Sequence, residues 1–260
     1  MSPDYPGAPA AVMARPRTNR RIPCRIVEFS EVIRRRRMVR SFSGKPVPDA
    51  LLNRIVAAGR RAPSAGNAQG WSAVILRGPA ETSSFWQATT TPDWRAKSSR
   101  WAGLSKAPAV IIVLTRPETY FLRYAEADKV SSGLGIAPAQ IDAEPTMPLL
   151  RAGCHTTDTR TPVLEGPPAV GAIWPVPYWF VDAGFAALLM MLAATDAGLG
   201  VCFLGNFRGE SELLDTLGAP GGWRYVGAVL AGEPGGMDHP SKSLARPKAA
   251  DAEVLHWGKW

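Results

Sequence analysis

The sequence predicts a globular domain that mixes α-helices with β-strands, because three features point the same way. A chain of 260 residues can bury a sizeable core, and 46% hydrophobic with 20% charged residues is an ordinary globular composition. Segments with the apolar spacing of helices alternate with short apolar runs that are typical of buried strands. Their order does not follow simple βαβ repetition.

The first 26 residues are rich in proline, alanine and arginine and carry little periodic hydrophobicity. We expect residues 1–26 to be a disordered basic leader and residues 27–260 to form a single domain. An arginine-rich transit peptide is the alternative for the leader, although its early prolines disfavour that interpretation.

The net charge of +8 is concentrated in one region of the chain. Residues 15–61 contain 14 Lys/Arg against 3 Asp/Glu, whereas residues 62–260 contain 16 against 18. A nucleic-acid-binding face would normally be a spread stripe or patch of basic residues. A basic leader followed by an anion site explains this distribution better, so we expect no nucleic-acid partner.

Cysteine usage and hydropathy indicate a cytoplasmic protein. Cys24, Cys154 and Cys202 are an odd number without paired-metal spacing, which fits a reducing compartment better than a disulfide framework. The leader lacks the apolar core of a secretory signal. The most apolar segment, residues 183–195, is shorter than the roughly 20 residues that span a bilayer. We therefore expect no membrane segment.

The first ordered elements are a short helix near residues 29–33, with Ser30 as its cap, and the arginine run that follows it. Val39 and Phe42 punctuate the run and have the character of buried residues, which would hold the arginines between them rigidly. Fixed guanidinium groups match the oxygen pairs of a phosphate. Some of the three arginines in this segment are thus candidates for phosphate binding: Arg36, Arg37 and Arg40. A solvated basic face is the alternative.

A second helix begins at Pro48–Asp49 with a core-facing apolar stripe and ends between Gly59 and Pro63. The loop 63–70 is small and polar, and residues 72–76 form a strand. Small residues let a planar ligand approach the backbone closely. A plain helix-to-strand connection is the alternative for this loop.

The remaining elements follow in order. Residues 81–106 are mostly helical, and residues 109–114 are a central strand. Residues 116–174 form a long lid or insert, which contains an adjacent Cys154–His155 pair that we do not expect to be catalytic. Residues 181–197 form a helix that is apolar on nearly every side, so it is enclosed in a dimer interface or, alternatively, in the core.

The last third continues with a strand at residues 201–205, a small helix at residues 210–217 and a strand at residues 223–231. The tail, residues 241–260, ends in tryptophans that suit docking onto a surface. The histidines are too scattered for a metal site, and no glycine segment matches GxGxxG or the P-loop.

Together, these segments resemble the FMN-dependent nitroreductase family. The pieces that carry the resemblance appear in family order: RRMVRSF at 36–42, PSAGNAQGW at 63–71, DAG at 182–184, GLG at 198–200 and VGAVLAG at 226–232. The resemblance covers residues 28–115 and 174–260. It implies the α+β class, specifically an α/β/α sandwich with a mainly antiparallel sheet, assembled as an intertwined homodimer.

The resemblance also implies two FMN molecules at the subunit interface. In the family pattern the arginine segment contacts phosphate and flavin, the small loop lines the flavin ring, and the turn after residue 203 offers a backbone N–H near flavin N5. The implied cofactor-binding residues are Arg36, Arg37, Met38, Arg40, Pro63, Ser64, Ala65, Asn67, Leu204, Gly205 and Arg246. Met38 stands where a small polar residue is usual, and Gly70 stands where proline is commoner, which predicts a looser loop.

The activity implied by the resemblance is a ping-pong oxidoreduction with NADH or NADPH as the reductant. The acceptor would be a small molecule such as a nitroaromatic, a quinone or a related electrophile, and no protein residue need act as acid or base. Three alternatives stay open: flavin fragmentation or redox chemistry on a dedicated metabolite, a non-catalytic flavin-binding protein, and a nucleic-acid-associated protein.

Overall fold

A computed structural model describes residues 28–135, 176–205, 208–238 and 241–260. The leader, Cys154, His155 and most of the predicted lid lie outside the described residues. The helices are α1 Phe29–Arg35, α2 Asp49–Gly59, α3 Gly78–Thr89, α4 Pro92–Lys97, α5 Trp101–Leu104, α6 Pro117–Tyr124, α7 Ala127–Ser131, α8 Tyr178–Asp196, α9 Glu210–Thr216 and α10 Asp251–Val254. The strands are β1 Trp71–Arg77, β2 Ala109–Thr115, β3 Gly200–Leu204 and β4 Arg224–Gly232.

The four strands form one sheet in the order β1-β2-β4-β3, and each neighbouring pair is antiparallel. The central strand β2 is buried along its whole length, as expected for a continuous run of valine, isoleucine and leucine. The predicted strands and the mainly antiparallel sheet are thus confirmed.

Helices cover both faces of the sheet. Ile112 of β2 packs into a cluster with side chains of α3, α5 and α9, whereas its neighbour Ile111 packs with α2 and α8. This division follows from the pleat, since successive side chains of a strand point to opposite faces. The three-layer sandwich that was expected is therefore present.

The longest helix, α8, differs from its prediction in length. It has 19 residues and is long and apolar enough to cross a membrane, but only half of its most apolar window is buried. One side packs on the sheet through residues such as Ala183 and Met190. Phe185 and Leu188 on the other side are 45% and 46% exposed, so a single chain does not enclose this helix in the core, which was the alternative interpretation. Its enclosure in a dimer interface stays a prediction.

The segment predicted as a lid contains ordered secondary structure at its start. Helices α6 and α7 occupy residues 117–131, and Tyr120 of α6 is fully buried. The described part of this segment is therefore a packed layer of the fold and not a long irregular loop. The rest of it lies outside the described residues.

The arginine segment is attached to the edge of the sheet. Met38 makes an isolated parallel bridge with Val201 of β3, and Phe42 makes an antiparallel bridge with Pro234. Val39 and Phe42 are 2% and 1% exposed. The prediction that these two residues are buried is confirmed, and the segment covers an otherwise open strand edge.

Candidate functional site

The arginine segment is held rigidly against β3. The Val39 N–H donates to Val201 O at 2.7 Å, and the Phe203 N–H donates to the Met38 thioether sulfur at 3.4 Å. The Arg40 guanidinium donates to Met38 O at 3.1 Å. Met38 therefore contributes a backbone contact, which any residue here could make, and a sulfur contact, which a small polar residue would not reproduce.

A carboxylate from the far end of the chain ties the segment down. One oxygen of Asp238 accepts the backbone N–H groups of Arg40 at 2.7 Å and Ser41 at 3.2 Å, and the other accepts from the Arg37 guanidinium. Burial alone would raise the pKa of Asp238, but the hydrogen bonds from Arg37, Arg40 and Ser41 hold its pKa below the ordinary value. Arg37 thus already has an anionic partner within the chain.

Beside this contact lies a groove of about 660 Å³ with a strongly basic lining. Four cationic side chains line it: Arg40, Arg100, Lys106 and Lys242. Within residues 28–135, 176–205, 208–238 and 241–260, no carboxylate forms an ion pair with Arg100, Lys106 or Lys242. Several serines, including Ser41 and Ser243, add hydroxyl groups. This combination of unpaired cations and hydroxyls suits a phosphate-bearing ligand.

The predicted residues lie at different distances from this groove. Arg40 lines the groove. Arg36, four residues before Arg40 in the sequence, is half-buried, and its guanidinium makes no hydrogen bond to any described residue. Arg246 is exposed and closes a 3-10 turn, Lys242–Ala245, whose first two residues line the groove.

The turn at the end of β3 is placed on the same side as the arginine segment. Leu204 lies three residues beyond Val201, which is about 10 Å along a strand. Its carbonyl accepts the Tyr225 hydroxyl at 3.1 Å. Gly205 is exposed, and among the described residues, its chain neighbours aside, no atom lies within 4 Å of the position of an added Cβ. A ligand could therefore approach the backbone here closely.

The small-residue loop has an unusual backbone. Gly66, Asn67 and Gln69 have φ values of 60°, 59° and 53°. This left-handed conformation is unfavourable for residues with a Cβ atom, so the surroundings must hold it. Within the loop, the Gln69 N–H donates to the Ser64 hydroxyl oxygen at 3.1 Å. Pro63 and Asn67 are exposed, and Ser64 and Ala65 are half-buried.

Residues of helices α6 and α8, which lie outside this loop, hold it in place by hydrogen bonds. The Ala65 N–H and the Tyr120 hydroxyl both donate to Oδ2 of Asp182, each at 2.8 Å. The Arg123 guanidinium donates to Gly66 O at 2.8 Å. The loop is therefore fixed from below, while exposed side chains such as Asn67 face outward.

Gly70, at the end of the loop, is buried and closely packed, while the looser loop expected from the missing proline stays a prediction. A Cβ added at Gly70 would lie 2.4 Å from Cε2 of the buried Tyr120 ring. The Gly70 carbonyl accepts the Arg116 N–H at 2.8 Å, and the Thr115 hydroxyl lies 2.9 Å from it. Only glycine allows this close approach of α6.

Within one chain the two halves of the predicted site lie apart. The loop is anchored to Asp182 near the start of α8, whereas Arg37 and Val39 line a small cavity with Thr195 near its end. These two helix positions are 13 residues apart, which corresponds to about 20 Å. The structure attaches the arginine segment to β3, but it does not bring the loop to the arginine segment.

The other candidate groups are inert or absent from this region. Burial raises the pKa of the Cys202 thiol to about 11, so the thiol stays protonated at neutral pH. In the part of the chain that the structure describes, no group of three or more His, Cys, Asp or Glu side chains could hold a metal ion.

Sequence reasoning missed the residues that support and extend the site. Asp238 and Arg100 lie in segments without a motif, and no local signal could have identified them. Asp182 did carry a signal, because it is a charged residue in an otherwise apolar helix, and such a residue is rarely buried without a partner.

Comparisons with known proteins identify the family of this chain and its fold. The model of the nitroreductase family matches residues 33–139 and 175–233. A Thermus thermophilus protein named NADH dehydrogenase is 43% identical over 79 residues, which make up 30% of this chain and 34% of that protein. The match thus spans about a third of that relative.

Solved structures share the fold at low sequence identity. A Lactococcus lactis nitroreductase in complex with nicotinic acid is 14% identical with a TM-score of 0.60, covering 89% of this chain and 100% of its own. An Exiguobacterium sibiricum nitroreductase structure in complex with FMN is 16% identical with a TM-score of 0.58, covering 89% and 98%. Because the family model matches more than half of the residues, the chain belongs to the nitroreductase family.

Proposed function

We propose that this protein is an FMN-dependent oxidoreductase that uses NADH or NADPH to reduce nitroaromatic, quinone or related electrophilic acceptors. The observation that carries the proposal is the basic groove beside the Asp238 contact, where Arg40 lies with three cations that have no carboxylate partner in the described residues. Family membership and the FMN complex of the Exiguobacterium sibiricum structure support the choice of cofactor.

The residues present fit FMN when their chemistry is considered. The groove offers guanidinium and ammonium groups for the phosphate. Arg36 and Arg246 lie a few residues along the chain from residues that line it. Open space at Gly205 and the half-buried Ser64 and Ala65 offer small surfaces for a flat ring. Arg37 is better suited to fix the arginine segment in place than to bind phosphate, because its guanidinium already donates to the Asp238 carboxylate.

The site requires a second copy of the chain. The loop and the arginine segment lie about 20 Å apart along α8, so we propose that the loop of one subunit faces the groove of the other in a homodimer. The exposed side of α8 suits this assembly, since Phe185 and Leu188 are half-exposed and nothing lies within 4 Å of an added Cβ at Gly184. The exposed Trp257 and Trp260 of the tail suit docking onto the same partner.

FMN would supply reversible two-electron transfer between the nicotinamide and the acceptor. The chain's own residues would bind and orient it. Arg40 and Arg100 would place positive charge beside the ligand and favour a form that carries negative charge. The Gly205 turn would present backbone N–H groups, and the loop would exclude water from one side of the ring.

The first test is the absorption spectrum of the purified protein at the flavin bands, followed by NADH and NADPH oxidation with quinone and nitroaromatic acceptors. We expect a yellow protein that oxidises at least one nicotinamide in a manner that depends on the acceptor. A yellow protein without turnover would support the flavin-binding alternative, and oxygen uptake with loss of flavin absorbance would support fragmentation.

A charge-matched pair of variants tests the groove. Arg40→Ala should raise the dissociation constant of FMN by roughly ten-fold or more, because a charge-assisted contact to phosphate is lost. Arg54→Ala on the exposed side of α2 removes the same charge far from the groove and should leave the constant unchanged. Equal constants for both variants would refute the placement of the phosphate.

A further inference from the structure

The carboxylate of Asp182 is buried in the second turn of α8. The residue is 3% exposed, and its Oδ2 accepts both the Ala65 N–H and the Tyr120 hydroxyl at 2.8 Å. Among the described residues, no lysine or arginine forms an ion pair with it. Burying a carboxylate without a counter-charge is costly. The two donors are therefore the described groups that satisfy the buried Oδ2 atom.

These two donors connect three elements that are distant in sequence. Ala65 begins the 3-10 turn of the small-residue loop, Tyr120 lies in α6, and Asp182 lies in α8. Tyr120 is fully buried and its ring also contacts Gly70 at the end of the loop, where no Cβ could fit. Oδ2 of Asp182 is thus a single point at which the loop, α6 and α8 are fixed relative to one another.

The loop needs such a fixed point because its backbone is intrinsically unfavourable. Asn67 and Gln69 both adopt the left-handed conformation, which residues with a Cβ atom avoid in the absence of restraint. The hydrogen bond from Arg123 to Gly66 O holds the middle of the loop, and the bond to Asp182 holds its start. Loss of the second would let the segment around Ser64 and Ala65 relax away from its present position.

We propose that Asp182 is a positioning residue that holds the small-residue loop where it can contact the flavin. Tyr120 contributes to this positioning through its hydrogen bond to Asp182. The inference rests on the proposed function, since the loop matters only if it faces the cofactor of the partner subunit. Asp182 itself does not touch the ligand in this arrangement. It acts through the Ala65 N–H, and its charge strengthens that bond relative to a neutral acceptor.

The test is a titration of FMN into the cofactor-free full-length protein, followed by flavin fluorescence. Asp182→Asn should raise the dissociation constant roughly ten-fold, because both hydrogen bonds lose their charged acceptor. Tyr120→Phe should raise it by a smaller factor. Asp196→Asn, the same substitution at the exposed end of the same helix, should leave it unchanged.

A second readout separates positioning from general stabilisation. In samples saturated with FMN, we expect Asp182→Asn to leave the flavin emission less quenched than in the wild type, because the ring has lost contact with the loop. A variant with a lower unfolding midpoint but wild-type affinity and wild-type quenching would overturn the proposal. If Asp182→Asn does not fold, Tyr120→Phe decides, since it keeps the ring and the carboxylate, and wild-type affinity in that variant would overturn the proposal too.

The result for the wild type distinguishes the two levels of inference. A wild-type protein that binds no FMN contradicts the proposed function itself. A wild type that binds FMN, together with an Asp182→Asn variant of equal affinity and equal quenching, contradicts only the positioning role.

Discussion

Substitution of Gly70 by alanine is the sharpest test of how the loop and α6 fit together. The added Cβ would lie 2.4 Å and 3.0 Å from two ring atoms of Tyr120 and 3.2 Å from Cβ of Thr119. Carbon atoms in ordinary contact are about 3.5–4.0 Å apart, so either the ring or the backbone must move by about 1 Å. We expect Gly70→Ala to destabilise the protein.

The structure gives the size of the effect. A shift of the Tyr120 ring would break its 2.8 Å hydrogen bond to Asp182, and a shift of the backbone would disturb the 2.8 Å bond from the Arg116 N–H to Gly70 O. Overpacking of this kind costs about 1–3 kcal/mol. Alanine also restricts the unfolded chain, which returns about 0.4–1 kcal/mol. Taken at the middle of each range, about 2 kcal/mol against about 0.7 kcal/mol, the expected net loss in the free energy of unfolding is about 1.3 kcal/mol.

Urea denaturation at neutral pH measures this loss. Gly221→Ala is the matched control, since Gly221 is exposed and has no atom within 4 Å of an added Cβ, and its free energy of unfolding should stay within about 0.5 kcal/mol of the wild type. A double-mutant cycle tests whether the effect acts through Tyr120. Tyr120→Phe should lower the free energy of unfolding by less in the Gly70→Ala background than alone, because the hydrogen bond from the Tyr120 hydroxyl to Asp182 is already strained there. A Gly70→Ala variant as stable as the wild type would refute the reasoning.

Three further predictions concern the Asp238 contact, the exposed side of α8 and the buried Cys202 thiol. Asp238→Asn should lower the free energy of unfolding at pH 7 by about 1–3 kcal/mol, since the backbone donors of Arg40 and Ser41 lose a charged acceptor. Because the folded-state pKa of Asp238 is depressed, the contribution of its carboxylate to stability is complete above about pH 4 and is lost as the pH falls. The free energies of unfolding of the wild type and the variant should therefore converge in acid. Leu188→Arg should give a monomer by light scattering, whereas the equally exposed control Leu122→Arg on α6 should not, and a Leu188→Arg dimer would rule out the α8 interface. In a background without the other two cysteines, Cys202 should resist thiol reagents at pH 8 until denaturant is added, because it is 1% exposed and its thiol pKa is about 11; rapid labelling of the native protein would show that the site is open.

Much of the fold follows from local pattern. The run at residues 109–114 is apolar in every position, and it forms the fully buried strand β2 with one residue added at its end. Alternation along β2 then decides which helices cover which face, since neighbouring side chains must enter different layers. By contrast, α6 was not predicted, because the buried Tyr120 is the only strong core residue in a charged segment and is stabilised by contacts with residues 62 and 50 positions away.

The site was partly predictable for a similar reason. Arg40 and the burial of Val39 follow from the arginine segment itself, since the spacing of apolar residues within it is local. The Asp238 contact joins residues about two hundred positions apart, and Arg100 reaches the groove only because α5 packs beside the segment. No pattern within a short window encodes such long-range contacts.

The sequence by itself determined where the strands lie and the presence of an arginine segment and a small-residue loop, because periodicity and residue chemistry act over a few neighbours. The layers and the antiparallel sheet were implied by its resemblance to the nitroreductase family. Only the tertiary structure decided that Asp238 binds the Arg37 guanidinium, that Gly70 is required by Tyr120, and that one chain keeps the small-residue loop and the arginine segment near opposite ends of α8. These facts depend on which distant side chains meet when the core closes, and that is a property of packing and not of any single segment.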